Sequence, residues 1–159
     1  MSRAIRSDPE YRGGDYDRPP RGLAEAMPLF RMMLDGVPHL DATVPDRAAA
    51  DGFIERAAAQ SAALDANDLL YSLESSADYD PEPDLGRIRA RVFALNFSDD
   101  EFNPVELGVL ERLMPRIARS RFVVQAGAPG SYGHFTQAHP ELWAAHVGAF
   151  LRDLEGASQ

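Results

Sequence analysis

Arg91-Val92-Phe93-Ala94-Leu95-Asn96-Phe97, emptying into Ser98-Asp99-Asp100, and Phe122-Val123-Val124-Gln125-Ala126, emptying into Gly127 to Gly133 and then His134, are the two runs that decide the fold. Both are short, almost continuously apolar and rich in β-branched or aromatic residues, the pattern of strands inside a parallel sheet. The run between them, 104–118, carries Leu110, Leu113, Met114 and Ile117 at helical spacing. The prediction is strand 90–97, helix 104–118, strand 122–126 and helix 140–154, with the strands adjacent and parallel and the first helix as their right-handed crossover. Loops at the carboxyl ends of such strands are where ligands and catalytic groups sit. An acid in the first loop and a histidine in the second therefore read as two parts of a proton relay. The third part, a serine in a Gly-x-Ser-x-Gly turn, is not in the sequence.

Working outward, the segment before the first strand is helical and contains no strand pattern. Gly22 to Leu34 carries Leu23, Ala26, Met27, Phe30, Met33 and Leu34 on one stripe, stopped by Gly36 and Pro38, with Pro28 inside predicting a kink or a later start. Asp46 is the expected cap of a helix to about Leu64, and a third runs from Asp65 or Asn67 to about Ala77 with Leu70, Tyr71 and Leu73 as its apolar content. The sequence thus divides into an irregular leading segment, 1–20; a helical lid or cap, 21–85, closed by the acidic linker 78–84; and a β-α-β-α portion, 86–159. Two buried-type strands leave a sheet with open edges, so the chain reads as the second half of a larger α/β fold.

Composition narrows the function. The 159 residues are 45% hydrophobic, enough for a globular core. With 25 acids against 16 bases the net charge is −9, which repels a phosphate backbone, so nucleic acid is not an expected partner. There is no cysteine, hence no disulfide and no thiolate chemistry. No apolar run is long enough to span a bilayer, and residues 1–9 lack a secretion signal, so the expectation is a cytoplasmic protein with no membrane partner.

Four motifs occur in one order: Asp8-Pro9-x-x-x-Gly13-Gly14-Asp15-Tyr16 with Pro19-Pro20-Arg21-Gly22-Leu23, then Asp65-Ala66-Asn67-Asp68, then Ser98-Asp99-Asp100-Glu101-Phe102-Asn103-Pro104, then Gly133-His134. In this order the sequence resembles the homoserine O-acyltransferase branch of the α/β-hydrolase superfamily, over its carboxyl-terminal portion. The resemblance implies lid helices that also contribute to a homodimer, followed by the acid and histidine loops. It selects Asp100, four residues before Pro104, as the triad acid, with Asp99 in reserve, and His134 as the triad histidine. It implies a small-molecule ester, thioester or acyl acceptor as substrate, no cofactor, and an acyl-CoA co-substrate if the enzyme is a transferase. The family has an aspartate after the histidine; this sequence has Phe135, which cannot pair with an ammonium group, so ester or thioester hydrolysis fits better than acylation of homoserine. The nucleophile would be encoded upstream, and the chain alone is expected to be inactive.

Each feature has a plainer reading. Asp100 is also placed to cap the helix expected at Pro104. His139 before Pro140 and His146 in the last helix read as packing or surface residues. The histidines and aspartates match no common metal spacing. Tyr11, Tyr16 and Tyr71 suit a core or a pocket, Asp65 and Asp68 suit a helix start, and 127–133 lacks the lysine of a phosphate loop. The alternative to the enzyme is a truncated, non-catalytic interaction or dimerisation module.

Overall fold

The computed structural model describes residues 1–156, which fold as two units. The first comprises 1–33 and 40–80; the second comprises 34–39 and the chain from Pro81 onward.

The first unit is helical. Residues 1–20 are not the irregular segment expected: α1 spans Ser2–Ser7 and a 3₁₀ turn spans Pro9–Gly14. Tertiary burial is the reason. Ile5 is fully buried and Tyr11 nearly so, in a core with Leu23, Met27, Ala66 and Leu70. Asp8 locks the geometry, its Oδ1 accepting from Glu10 N at 2.8 Å and its Oδ2 from Gly22 N at 2.6 Å. A Cβ on Gly22 would collide with the Ala4 carbonyl, so glycine allows the close approach.

Helix α2, Arg21–Leu34, contains Pro28 and starts no later than the periodicity begins. Burying Leu23 and Met27 is worth about 1.5–3 kcal/mol each, against roughly 3 kcal/mol for an internal proline. Asp35 and Gly36 separate α2 from an unforeseen α3, Val37–Thr43, which accommodates Pro38 because a residue in the first turn has an N–H that would be unpaired anyway. Helix α4, Arg47–Gln60, is capped by Asp46, and a 3₁₀ turn, Ser61–Ala63, follows it. Asp65 caps α5, Ala66–Glu74, which buries Ala66 and Leu70 but leaves Tyr71 in solvent. Tyr11 donates to Asn67 Oδ1 at 2.9 Å, Asn67 Nδ2 donates to the Gly14 carbonyl, and Ala66 N donates to the Tyr16 hydroxyl at 2.8 Å. A hydrogen bond from Tyr16 holds the Asp65 carboxyl below the usual carboxylate range. The first two motifs of the sequence are therefore one packed network.

The second unit is built on a parallel pair, β1 (Val92–Phe97) and β2 (Ser120–Gln125), in register from Val92↔Ser120 to Phe97↔Gln125. Apart from buried Phe97, the residues of β1 are only half-buried, and those of β2 are half-buried or exposed. The expected helix 104–118 is broken into a 3₁₀ turn Val105–Leu107, a short α6, Val109–Leu113, and a second 3₁₀ turn Met114–Arg116. Gly108, left-handed at φ +57°, and Pro115 make the two breaks, while Met114 and Ile117 still reach the core. Likewise the helix expected at 140–154 is a 3₁₀ turn Pro140–Leu142 followed by α7, Ala144–Gly156. Phe150 of α7 stacks on Phe93 of β1, ring centroids 5.5 Å apart, under the Arg121 guanidinium. Among the described residues no helix is long and apolar enough to cross a membrane.

Candidate active site

The parallel register brings the ends of β1 and β2 level, so the loops after Phe97 and Gln125 leave the same edge. Asp100 lies in the first loop, 4% exposed, and His134 follows Gly133 in a 3₁₀ turn, Gly133–Ala138, its side chain 21% exposed. His134 Nδ1 is 3.0 Å from Asp100 Oδ2. The structure thus brings together the two residues singled out as acid and base.

Asp100 makes contacts on both of its oxygens, and it caps no helix: the turn Val105–Leu107 starts after Pro104 without a side-chain cap. Oδ1 accepts from Phe102 N at 2.9 Å and Asn103 N at 3.0 Å, closing an Asx turn over the loop; Oδ2 accepts from Asn103 Nδ2 at 3.2 Å and faces the imidazole. All four lone-pair positions of the carboxylate are used. Burial pushes the Asp100 carboxyl up, but the hydrogen bonds from His134 and from the Asn103 side chain and backbone outweigh it and hold the group below the usual carboxylate range. An ionised acceptor at Oδ2 requires the proton on Nδ1, which leaves Nε2 of the neutral ring as a base. Phe102 packs its ring against the imidazole, centroids 4.9 Å apart and the planes tilted by 49°.

Asp99, the reserve acid, does not meet His134. Its Oδ2 accepts from Ser131 Oγ at 2.5 Å and from Gly133 N at 3.3 Å, and its Oδ1 is buried without a hydrogen-bond partner. Asp99 therefore ties down the histidine loop from below while Asp100 orients the ring. The loop is also gripped by 34–39: a Cβ on Gly133, at φ +58°, would collide with Gly36 N, and one on Gly36 would lie 2.9 Å from Asp99 Oδ2. The serines of the two loops are bonded elsewhere, Ser131 to Asp99 and Ser98 as acceptor from Gly127 N at 2.8 Å.

Other residues considered in the sequence stand apart from this pair. His139 stacks on Tyr132 at 4.0 Å and lies 3.1 Å from Glu141 Oε1; His146 lies in α7. No three acid, histidine or cysteine side chains converge as metal ligands among the described residues. Sequence reasoning passed over Asn103, which shares Asp100 with His134, and Gln137, whose Nε2 is 3.0 Å from His134 Nε2. The first carries a readable signal, three residues after an aspartate at a loop end, the spacing of a capping turn.

The sequence matches no described protein family and no curated protein. Its fold does match solved structures. Esterase E22 superposes with a TM-score of 0.72 at 18% identity, over 90% of this chain and 46% of the esterase. A single-substitution variant of that esterase gives 0.69 at 18% identity, over 84% of this chain and 43% of the variant. An acetylester hydrolase from Corynebacterium glutamicum gives 0.60 at 20% identity, over 84% of this chain and 41% of the hydrolase. The chain spans less than half the length of these structures, and its fold is that of a carboxyl-terminal part of an esterase α/β-hydrolase fold.

Proposed function

We propose that this chain carries the acid and the general base of a serine-dependent α/β-hydrolase-type enzyme acting on esters or thioesters, with the serine and the oxyanion donors supplied by polypeptide outside these 159 residues. The observation that carries the reading is the 3.0 Å contact of His134 Nδ1 with a saturated, ionised Asp100, which leaves Nε2 as the base. His134 takes the proton of the serine hydroxyl as it attacks the acyl carbon, then returns it to the leaving alcohol or thiol; Asp100 holds the tautomer and stabilises the imidazolium. The esterase and acetylester hydrolase neighbours support ester chemistry. Within the superfamily we assign the chain to the homoserine O-acyltransferase-like branch, with Phe135 favouring hydrolysis over acyl transfer to an amino-bearing acceptor. An acyl-CoA co-substrate belongs only to a transferase. The helices of 21–85 act as the lid and as the surface of a homodimer, in a cytoplasmic enzyme.

The test is to read the coding sequence upstream in frame, express the extended product and assay a short-chain p-nitrophenyl ester. Saturable turnover that falls by roughly 10³- to 10⁴-fold in His134→Ala and in Asp100→Asn is expected. An upstream frame without a serine elbow, or turnover indifferent to His134→Ala, would overturn the proposal. The non-catalytic reading, a dimerisation module, is favoured by one observation: Leu29, Met32 and Met33 of α2 are 66%, 52% and 46% exposed.

A further inference from the structure

His134 has a second partner that the relay does not use. It lies in a 3₁₀ turn, Gly133–Ala138, and in that geometry, with three residues per turn, the side chains of residues three apart eclipse. Gln137 is therefore directly over His134, and its Nε2 lies 3.0 Å from His134 Nε2. The backbone beneath is fixed: Trp143 Nε1 donates to the Thr136 and Gln137 carbonyls at 3.1 and 3.2 Å, and buried Thr136 accepts from Tyr132 N at 2.8 Å through Oγ1. The Gln137 side chain itself is on an exposed residue. A rigid base thus carries a side chain that is free to swing.

The chemistry of the contact is set from the other end of the ring. With the proton on Nδ1 facing Asp100, Nε2 offers a lone pair, and only a donor satisfies it. The Gln137 amide N–H is such a donor. The same amide turned over presents Oε1, an acceptor, to the same point, so it fits Nε2 whether the ring is neutral or protonated. A carboxylate or a methyl group there would fit one state or neither.

We propose that Gln137 is a positioning residue for His134: its amide caps Nε2 and holds the ring in its plane until a hydroxyl takes that place. The inference rests on the reading that His134 acts through Nε2, but its test uses no turnover, so the two fail separately. Gln137 occupies the position at which a nucleophile would donate, and engagement of that nucleophile requires the amide to swing out. While it is in place it withholds the lone pair from external electrophiles.

The experiment is chemical modification of the full 159-residue chain with diethyl pyrocarbonate, which acylates unprotonated imidazole nitrogen, with the rate at each of His39, His134, His139 and His146 followed by mass spectrometry at neutral pH. Gln137→Ala is expected to speed modification of His134 by roughly three- to ten-fold, the opening of one ordinary hydrogen bond, with the other three histidines unchanged. Gln137→Glu, which accepts but cannot donate, is expected to favour the protonated ring and to leave His134 slower than in Gln137→Ala. An unchanged His134 rate in Gln137→Ala would overturn the proposal. So would equal rates in the Ala and Glu variants, and so would a rise at all four histidines together, which reports a loosened fold.

Discussion

At the scale of single residues, neighbouring aspartates have different work. Asp100 is an acceptor with four donors, and its folded carboxyl titrates below the ordinary value. Its contribution to stability is therefore fully present above the unfolded value of about 3.9 and is lost as pH falls through the depressed folded value. In urea unfolding from neutral pH down to about 2, the stability gap between the wild-type chain and Asp100→Asn should be constant at first and then shrink below about pH 4; a gap that widened in acid would contradict the assignment. Asp99 acts on backbone and hydroxyl instead. Asp99→Ala leaves buried Gly133 N without its acceptor, while Ser131 Oγ keeps the Ala128 carbonyl at 2.8 Å, and should destabilise by about 1–3 kcal/mol. Asp99→Asn keeps an acceptor oxygen for Gly133 N and should be milder, as thermal unfolding of the two variants would show.

Among the elements, the connection from β1 to β2 illustrates how a periodic pattern is interrupted without losing its core. Leu110, Leu113, Met114 and Ile117 suggest one helix, yet Gly108 and Pro115 divide it into three short pieces. The glycines of the unit then separate by what surrounds them. Gly108 is left-handed with only the end of the Glu111 side chain nearby, so Gly108→Ala should cost about 1–2 kcal/mol, the backbone preference alone. Gly133 is also left-handed but lies against the Gly36 backbone, which cannot move as a side chain end can. Gly133→Ala should cost more than about 3 kcal/mol and displace His134 from Asp100. Equal melting temperatures for the two variants would refute the grip of 34–39 on the histidine loop.

At the scale of the whole molecule, the chain presents the Asp100–His134 contact on a sheet too small to cover itself. The strands are apolar but mostly half-buried, and Leu107 and Phe102 of the second unit are 67% and 44% exposed. Open apolar surface and an unpaired parallel edge favour self-association. On the proposed reading, His134 is a base without a nucleophile or oxyanion donors, and so lacks the largest contributions to acyl transfer. The isolated 159-residue chain should therefore show no saturable p-nitrophenyl ester turnover and should scatter light as an associated species. Saturable turnover abolished by His134→Ala would reveal a nucleophile within the chain, and a monodisperse monomer with a cooperative melt would show a self-sufficient domain.

The sequence by itself determined what local chemistry dictates: two parallel strands from their apolar runs, helix starts at Asp46 and Asp65 from capping, and the two loops carrying Asp100 and His134 from the strand ends. These signals reside within a few residues of the structure they specify. Tertiary structure decided the rest. Residues 2–14 coil because Ile5 and Tyr11 find a core supplied from 23–70, which no local pattern announces. The approach of His134 to Asp100 and the seating of the histidine loop on Asp99 and Gly36 are contacts between segments far apart in the chain, whose geometry exists only once both are packed.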